Sequence, residues 1–202
     1  MFRFAFNLSY KFKMNYKIIL ASNSPRRKEL LQGLDIDFEV RIIPDIDESY
    51  PPGTKPEDIP SFIARKKAEA YKVTMKEDEL IITADTIVVL DGDILEKPVD
   101  KDDAIQMIKR LSGRKHHVIT AVVLTTVEKS KEFSVMSTVD FSELTDEEIE
   151  YYVEKYKPFD KAGAYGIQEW IGYIGVKSIE GSFYNVMGLP VQRLYRELKI
   201  FL

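Results

Sequence analysis

Residues 17–34, KIILASNSPRRKELLQGL, contain the pattern that indicates the fold class most clearly. Its first residues are apolar and predict a buried strand over residues 17–21. Ser24-Pro25 then predicts the start of a helix, because serine is a good N-cap and proline suits the first helical position. Gly33 lies where such a helix would end. A strand that leads directly into a helix is typical of an α/β protein.

The rest of the chain continues this alternation of strands and helices. Apolar periodicity predicts further strands over residues 38–43, 80–90, 117–127 and 132–141, and helices over residues 60–73, 100–113 and 145–156, with a last helix from about Pro190. Asp91-Gly92 is a strong hairpin signal, and a second hairpin is expected near residues 127–132. The strand over residues 80–90 is expected to be interrupted at Asp85, and residues 162–188 form a glycine-rich stretch. We therefore expect an α/β fold with a mixed, twisted sheet flanked by helices.

The composition excludes several kinds of site. The 202 residues include no cysteine and only two histidines, His116 and His117. Disulfides, zinc–thiolate sites, cysteine nucleophiles and multi-histidine metal sites are therefore excluded. Any metal must be held mainly by oxygen, which favours a divalent cation such as Mg²⁺ or Mn²⁺.

Charge and hydropathy limit the partners. A net charge of −4 argues against broad nucleic-acid binding, which usually needs a basic surface. No run of about 18 apolar residues occurs, so we expect no membrane span and a cytoplasmic protein. Residues 1–15 lack a long apolar stretch and a clear cleavage site, and we interpret them as an N-terminal appendage, with Met14 as a possible functional start. Residues 16–202 then form a single domain.

A first group of candidate residues lies at the start of the first helix. Ser22, Arg26 and Arg27 flank a helix N-terminus, where unpaired N–H groups and the helix dipole favour an anion. The arginines provide forked donors that suit phosphate oxygens, although a first helical turn usually prefers acidic residues. A capped helix with solvated arginines is the alternative, and residue chemistry alone leaves both open.

A second group is acidic. Asp85 follows four uncharged residues of a predicted strand, and a carboxylate there needs a cation or hydrogen-bond donors. It could face a cleft and bind a metal, or it could cap a local turn. Asp47 and Glu48 lie in the loop over residues 44–56, where they could supply further oxygen ligands or form a solvated acidic loop.

Two lysines and one glutamine complete the candidates. Lys67 lies on the helix that follows the acidic loop, and Lys97 lies between Glu96 and Pro98. Each could be an ordinary surface lysine. Lys66 points to a different helix face, so only one of the pair can reach the same site. Gln168 can donate and accept hydrogen bonds, which suits a pyrimidine edge or a sugar.

Several motifs in a fixed order resemble one family. Ala-Ser-Asn-Ser-Pro-Arg-Arg after the first strand is similar to the signature of the Maf-like nucleotide pyrophosphatases. Other blocks of the same family pattern recur downstream, namely Ala84-Asp85-Thr86, Leu95-Glu96-Lys97-Pro98, His116 with Thr120, residues 161–168 and residues 181–190. The resemblance extends from about Tyr16 to Leu198.

The resemblance implies an activity and a set of roles. It implies two lobes around a central cleft, an overall architecture shared with inosine triphosphatases, and hydrolysis of nucleoside triphosphates to the monophosphate and pyrophosphate. The sequence over residues 164–168 looks like the branch that acts on dTTP and UTP. Glu48 and Asp85 would bind a divalent metal and serve in catalysis, with Asp85 as the better general base. Ser22, Arg26, Arg27, Lys67 and Lys97 would bind or neutralise phosphate, with Lys97 counted among the catalytic residues and Gln168 among the substrate-binding ones. A homodimer is implied in the same way.

Two features depart from the family pattern. Thr83 precedes the Ala-Asp-Thr block where glycine is common, and Glu169-Trp170 follows Gln168 where smaller residues are expected. Two other functions stay open. The first is a nucleotide-binding regulator of septation without catalysis. The second is a nucleic-acid-binding protein that uses Arg26 and Arg27.

Overall fold

The computed structural model describes residues 16–202. The predicted appendage of residues 1–15, with Met14, lies outside the described residues. The strands are β1 (Lys17–Leu20), β2 (Phe38–Val40), β3 (Glu79–Leu90), β4 (Asp93–Leu95), β5 (Lys115–Thr125), β6 (Ser130–Phe141) and β7 (Val176–Glu180). The α-helices are α1 (Pro25–Gln32), α2 (Ile59–Lys72), α3 (Lys101–Leu111), α4 (Asp146–Tyr156), α5 (Trp170–Gly175), α6 (Phe183–Val186) and α7 (Val191–Phe201).

One seven-stranded mixed sheet organises the molecule. Its strand order is β2-β1-β3-β5-β6-β7, and β4 pairs with β3. β1 is parallel to β2 and β3, whereas all the other pairs are antiparallel. The prediction of a mixed sheet flanked by helices is confirmed.

The two faces of β3 pack against different layers, because side chains alternate along a strand. Leu80, Ile82 and Val88 belong to the main core, together with residues of α1, α3, α4 and α7. Ile87 and Val89 pack on the opposite face with Ile59 and Ile63 of α2. Asp85 lies two residues before Ile87 on the same strand, so its side chain is on the same face and points towards α2.

The predicted interruption of the strand at Asp85 is wrong. β3 runs without a break from Glu79 to Leu90, and Asp85 pairs in register with Ala121 of β5. The strand continues because a lysine of α2 meets the carboxylate, so the backbone does not have to turn. Thr83, the residue that departs from the family pattern, is fully buried and donates a hydrogen bond of 2.8 Å from Oγ1 to the carbonyl of Ala64 on α2.

β1 and β4 cover only part of the same edge of β3. β1 pairs with β3 as far as Leu20 opposite Ile82, and β4 pairs with β3 only from Val88, opposite Leu95, to Leu90. Between these points residues 83–87 have no strand beside them on that edge. This gap in the sheet is where the cleft opens.

The other differences from the predicted elements are local. β2 ends at Val40 instead of residue 43, and the amide of Ile43 donates to the hydroxyl of Tyr71 on α2, which turns the chain away from the sheet. The glycine-rich stretch contains α5, β7 and α6, which the sequence pattern did not predict. The hairpin at Asp91-Gly92 is confirmed, with φ of 51° and 89° at its two central residues.

No helix among residues 16–202 is long and apolar enough to span a membrane.

Candidate active site

A cavity of about 400 Å³ opens at the gap between β1 and β4. Its walls come from the β1–α1 junction, the middle of β3, the loop before α2 and the glycine-rich stretch. They include all eight candidate site residues: Ser22, Arg26, Arg27, Glu48, Lys67, Asp85, Lys97 and Gln168. Side chains separated by up to 146 positions in the sequence therefore line one space.

The N-terminus of α1 forms one wall. Ser24 is the N-cap and accepts from the amide of Arg27, and Pro25 occupies the first turn. No acidic side chain lies in that first turn. The wall therefore combines a positive helix end with two small hydroxyl side chains, Ser22 and Ser24, which suits an anion.

The two adjacent arginines have different surroundings. Arg27 donates from Nε to the carbonyl of Gly188 at 2.8 Å, from Nη1 to the carbonyl of Ala84 at 3.0 Å and from Nη2 to Oγ1 of Thr86 at 2.9 Å. Its guanidinium therefore ties α1 to β3 and to the loop before α7. Arg26 instead forms an ion pair of 2.6 Å with Asp160, which also lines the cavity.

Lys67 links the two candidate carboxylates. Its Nζ lies 2.8 Å from Oδ1 of Asp85 and 3.0 Å from Oε1 of Glu48. The side chains of Lys67 and Asp85 are 13% and 11% exposed, so their ion pair is largely withdrawn from solvent. The Glu48 side chain is 47% exposed and forms the outer member of the group.

The two carboxyl groups have pKa values displaced in opposite directions. Burial raises the pKa of Asp85, and the nearby charges of Lys67 and Arg27 only partly offset it. At Glu48 burial acts in the same direction, but Lys67, Lys97 and Arg27 together hold the pKa below its ordinary value. The surroundings therefore favour the protonated form more at Asp85 than at Glu48.

Lys66 and Asp47 lie outside the cavity. Nζ of Lys66 is 2.5 Å from Oδ2 of Asp47, and neither residue is part of the wall. The predicted separation of Lys66 and Lys67 onto different helix faces is confirmed. Asp47, which was considered as a further oxygen ligand, instead stabilises the acidic loop through Lys66 and Ser49.

Lys97 and Gln168 approach from the other walls. Lys97 is exposed and has Pro98 as a buried neighbour. Gln168 is partly buried, and its Oε1 atom has no hydrogen-bond partner among residues 16–202. A buried acceptor without a partner is costly, and a bound molecule can satisfy it.

Two aromatic residues of the glycine-rich stretch, Tyr165 and Trp170, differ in their relation to the cavity. Tyr165 lines the cavity and is also buried against His116 and Phe141, with His116 Nε2 at 2.7 Å from its hydroxyl. Burial lowers the pKa of His116 to about 4, so this imidazole is neutral near neutral pH. Trp170 packs on Tyr151 and is not part of the wall.

The donor set fits a divalent cation that arrives with a phosphate ligand. Among the described residues no group of three or more carboxylate or histidine side chains could form a complete protein cage. Glu48 and Asp85 nevertheless converge on one cation, the ammonium of Lys67. Mg²⁺ is usually held by one or two carboxylates together with waters and substrate phosphates.

Two residues of the site were missed in the sequence. Asp160 binds Arg26, and Lys161 lies between Asp160 and Glu169. Lys161 belongs to a recognised motif, but no periodicity or spacing relates either residue to α1, which lies 134 positions away from Asp160.

A family model and two relatives of high sequence identity place the chain in one family. A family model described as Maf-like protein matches residues 17–201. A protein of Bacteroides thetaiotaomicron named dTTP/UTP pyrophosphatase is 61% identical over 184 residues, which cover 91% of this chain and 95% of that protein. A protein of Phocaeicola vulgatus with the same name is 64% identical over the same shares of the two chains. A solved structure of a nucleoside-triphosphatase / dITP/XTP pyrophosphatase from Mycobacterium abscessus is 17% identical, with a TM-score of 0.42 over 92% of this chain and 98% of that one.

Proposed function

This chain belongs to the Maf-like protein family, and we propose that it hydrolyses dTTP and UTP to the monophosphate and pyrophosphate. It is an enzyme of the hydrolase class that acts on nucleoside triphosphates. Relatives that are 61–64% identical over 91–92% of this chain are named for that activity. The observation that carries the proposal is the meeting of a helix N-terminus, Lys67 and two carboxylates at the gap in the sheet.

The triphosphate lies along the positive side of the cavity. The N-terminus of α1, Arg26 and Lys97 bind its oxygens, because oriented N–H groups and cationic side chains stabilise charge that develops on phosphate. Arg27 supports this site indirectly, because its guanidinium donors are used to hold α1 against β3. Arg26 exchanges or shares its contact with Asp160 when the phosphate arrives.

The reaction is attack of water on the α-phosphorus. Asp85 accepts a proton from the water as the oxygen–phosphorus bond forms, and the bond from the α-phosphorus to the bridging oxygen breaks to release pyrophosphate. Lys67 holds Asp85 and Glu48 in place and balances their charge. The raised pKa of Asp85 makes it a stronger base than an exposed aspartate while it remains paired with Lys67.

We also propose that the enzyme uses Mg²⁺ or Mn²⁺, held by Glu48 and Asp85 together with phosphate oxygens. The ion would stabilise negative charge on the phosphates. Removal of the ion with EDTA should abolish turnover, and added Mg²⁺ or Mn²⁺ should restore it. Full turnover in excess EDTA would contradict this part of the proposal.

A panel of nucleoside triphosphates tests the function. Pyrophosphate and monophosphate should form fastest from dTTP and UTP, and more slowly from CTP, ATP and GTP. Release of inorganic phosphate instead of pyrophosphate would place the cleavage at the wrong bond. Nucleotide binding without any hydrolysis would favour the non-catalytic regulator of septation, which the pyrophosphatase names of the relatives do not favour.

Location, assembly and the lack of nucleic-acid binding complete the proposal. We propose a cytoplasmic homodimer, on the resemblance to the family. The surroundings of the arginine pair argue against a DNA-binding role, because Arg27 is used within the fold and Arg26 is paired with Asp160. Light scattering tests the dimer, and a DNA titration at low salt tests the absence of nucleic-acid binding.

A further inference from the structure

Gln168 lies in a backbone turn at the wall of the cavity. The amide of Glu169 donates to the carbonyl of Gly166 at 2.9 Å and closes the turn over residues 166–169. Oε1 of Gln168 has no protein partner among residues 16–202, so no hydrogen bond to that atom orients the side chain. The direction of Gln168 therefore depends on how firmly the turn is held.

Tyr152 of α4 holds both ends of this turn. Its hydroxyl accepts a hydrogen bond of 2.9 Å from the amide of Gly166 and donates a short one to Oε2 of Glu169. The Tyr152 side chain is fully buried, so solvent does not compete for these contacts. Burial, followed by the interaction with Glu169, raises the pKa of Tyr152 and keeps the hydroxyl protonated as a donor.

Glu169 also packs directly on the turn. A Cβ atom at Gly166 would lie 2.7 Å from the carboxyl carbon of Glu169, so the carboxylate fits against the bare glycine backbone. The smaller residue expected from the family pattern could not make the contacts with Tyr152. Glu169, which departs from the family pattern, is therefore a structural part of the turn over residues 166–169.

A series of ion pairs connects Glu169 to Arg26 at the N-terminus of α1. Oε1 of Glu169 lies 3.2 Å from Nζ of Lys161, which lies 2.7 Å from Oδ1 of Asp160. The other oxygen of Asp160 is 2.6 Å from Nη1 of Arg26. Lys161 is only 8% exposed, so the middle of this chain is shielded from solvent.

We propose that Glu169 and Tyr152 are positioning residues that set the orientation of the Gln168 side chain. Through Lys161 and Asp160, Glu169 also connects the turn that carries Gln168 to Arg26. They determine how the enzyme discriminates between nucleotide bases, without touching the α-phosphorus. This inference rests on the proposed hydrolysis of dTTP and UTP.

Steady-state kinetics on Glu169→Ala and Tyr152→Phe test the proposal. Loss of one or two hydrogen bonds that hold the turn should raise KM for dTTP about tenfold while kcat stays within about twofold. The preference for dTTP over CTP should fall by a similar factor. Glu169→Gln keeps an acceptor for the Tyr152 hydroxyl and should recover most of the preference. Tyr151→Phe is the matched control, because Tyr151 is the exposed neighbour on α4 and packs on Trp170.

A double-mutant cycle separates positioning from general stability. If Glu169 acts through Gln168, Glu169→Ala should change the dTTP to CTP preference in the wild-type background but not in Gln168→Ala. An equal change in both backgrounds would overturn the proposal, as would an unchanged preference in Glu169→Ala. If Tyr152→Phe does not fold, as judged by circular dichroism, the cycle on the partly exposed Glu169 still decides. Failure of the wild-type protein to release pyrophosphate from any nucleotide would instead overturn the proposed function.

Discussion

The ammonium of Lys67 lies 2.8 Å from the carboxylate of Asp85, on the face of β3 that α2 covers. The pair exists because β3 continues through Asp85 and because the side-chain alternation of the strand directs that carboxylate towards α2. Both side chains are more than four-fifths buried, so removal of one partner leaves a buried charge without its counterion, which is costly.

Replacement of Lys67 by methionine should reduce turnover strongly. The change removes the cation shared by Asp85 and Glu48. Loss of a charged hydrogen bond of this kind costs about 1.5–3 kcal/mol, which corresponds to a reduction of roughly 10- to 150-fold in kcat/KM. Pyrophosphate release from dTTP measures it.

Lys66→Met is the matched control for that variant. Lys66 is the adjacent residue on α2, and its partner Asp47 lies outside the cavity. Its kcat/KM should remain within about twofold of wild type, because neither Lys66 nor Asp47 lines the cavity. Equal losses in the two variants would contradict the placement of Lys67 in the site.

The two arginines of α1 should differ in their effect on stability. Arg27→Lys removes the forked donors that reach Gly188, Ala84 and Thr86, and a single ammonium cannot replace them all. We expect a loss of about 2–4 kcal/mol in the free energy of unfolding. Arg26→Lys should cost less than about 1 kcal/mol, since Arg26 has one partly exposed ion pair. Urea denaturation measures both variants, and the reverse order would refute the assignment.

The buried His116 should make stability depend on pH. Its pKa falls from 6.5 to about 4 on folding because burial disfavours the charged imidazole. A depressed folded-state pKa gives a contribution that is fully present above pH 6.5 and is lost as the pH falls through about 4. The loss should be about 3 kcal/mol at most.

The variant His116→Gln isolates this effect. Glutamine can bond to the Tyr165 hydroxyl but does not titrate, so the wild-type advantage over the variant should shrink across the same pH range. His117→Gln removes the exposed neighbour and should retain the pH dependence that comes from His116. A wild-type advantage that stays constant from above pH 6.5 down to about pH 4 would contradict the buried, neutral state of His116.

Local signals in the sequence were sufficient for much of the fold. Serine followed by proline placed the start of α1, and apolar periodicity predicted the helix over residues 60–73, which corresponds to α2 with Ile63, Ala64, Ala68 and Tyr71 buried. These features depend on residues within one or two helical turns of each other. Ordered family motifs then brought distant blocks together into one expected site.

The remaining features depend on tertiary contacts. The interruption at Asp85 was expected because a charge is unfavourable in an apolar strand, and its cation partner on α2 was not visible in the local pattern. Likewise, adjacent arginines of identical chemistry have different partners, because Gly188 and Asp160 reach them from the far end of the chain. β7 was missed because its alternation is weak and its pairing with β6 is set by distant residues.

Pyrophosphate release from dTTP by the Asp85→Asn variant is the decisive test of the proposed base. Asparagine preserves the shape of the side chain but cannot act as the base, so kcat should fall about 10²- to 10⁴-fold while circular dichroism remains that of the wild type. Asp47→Asn, outside the cavity, should retain wild-type turnover. An Asp85→Asn protein that folds and releases pyrophosphate at close to the wild-type rate would contradict the account.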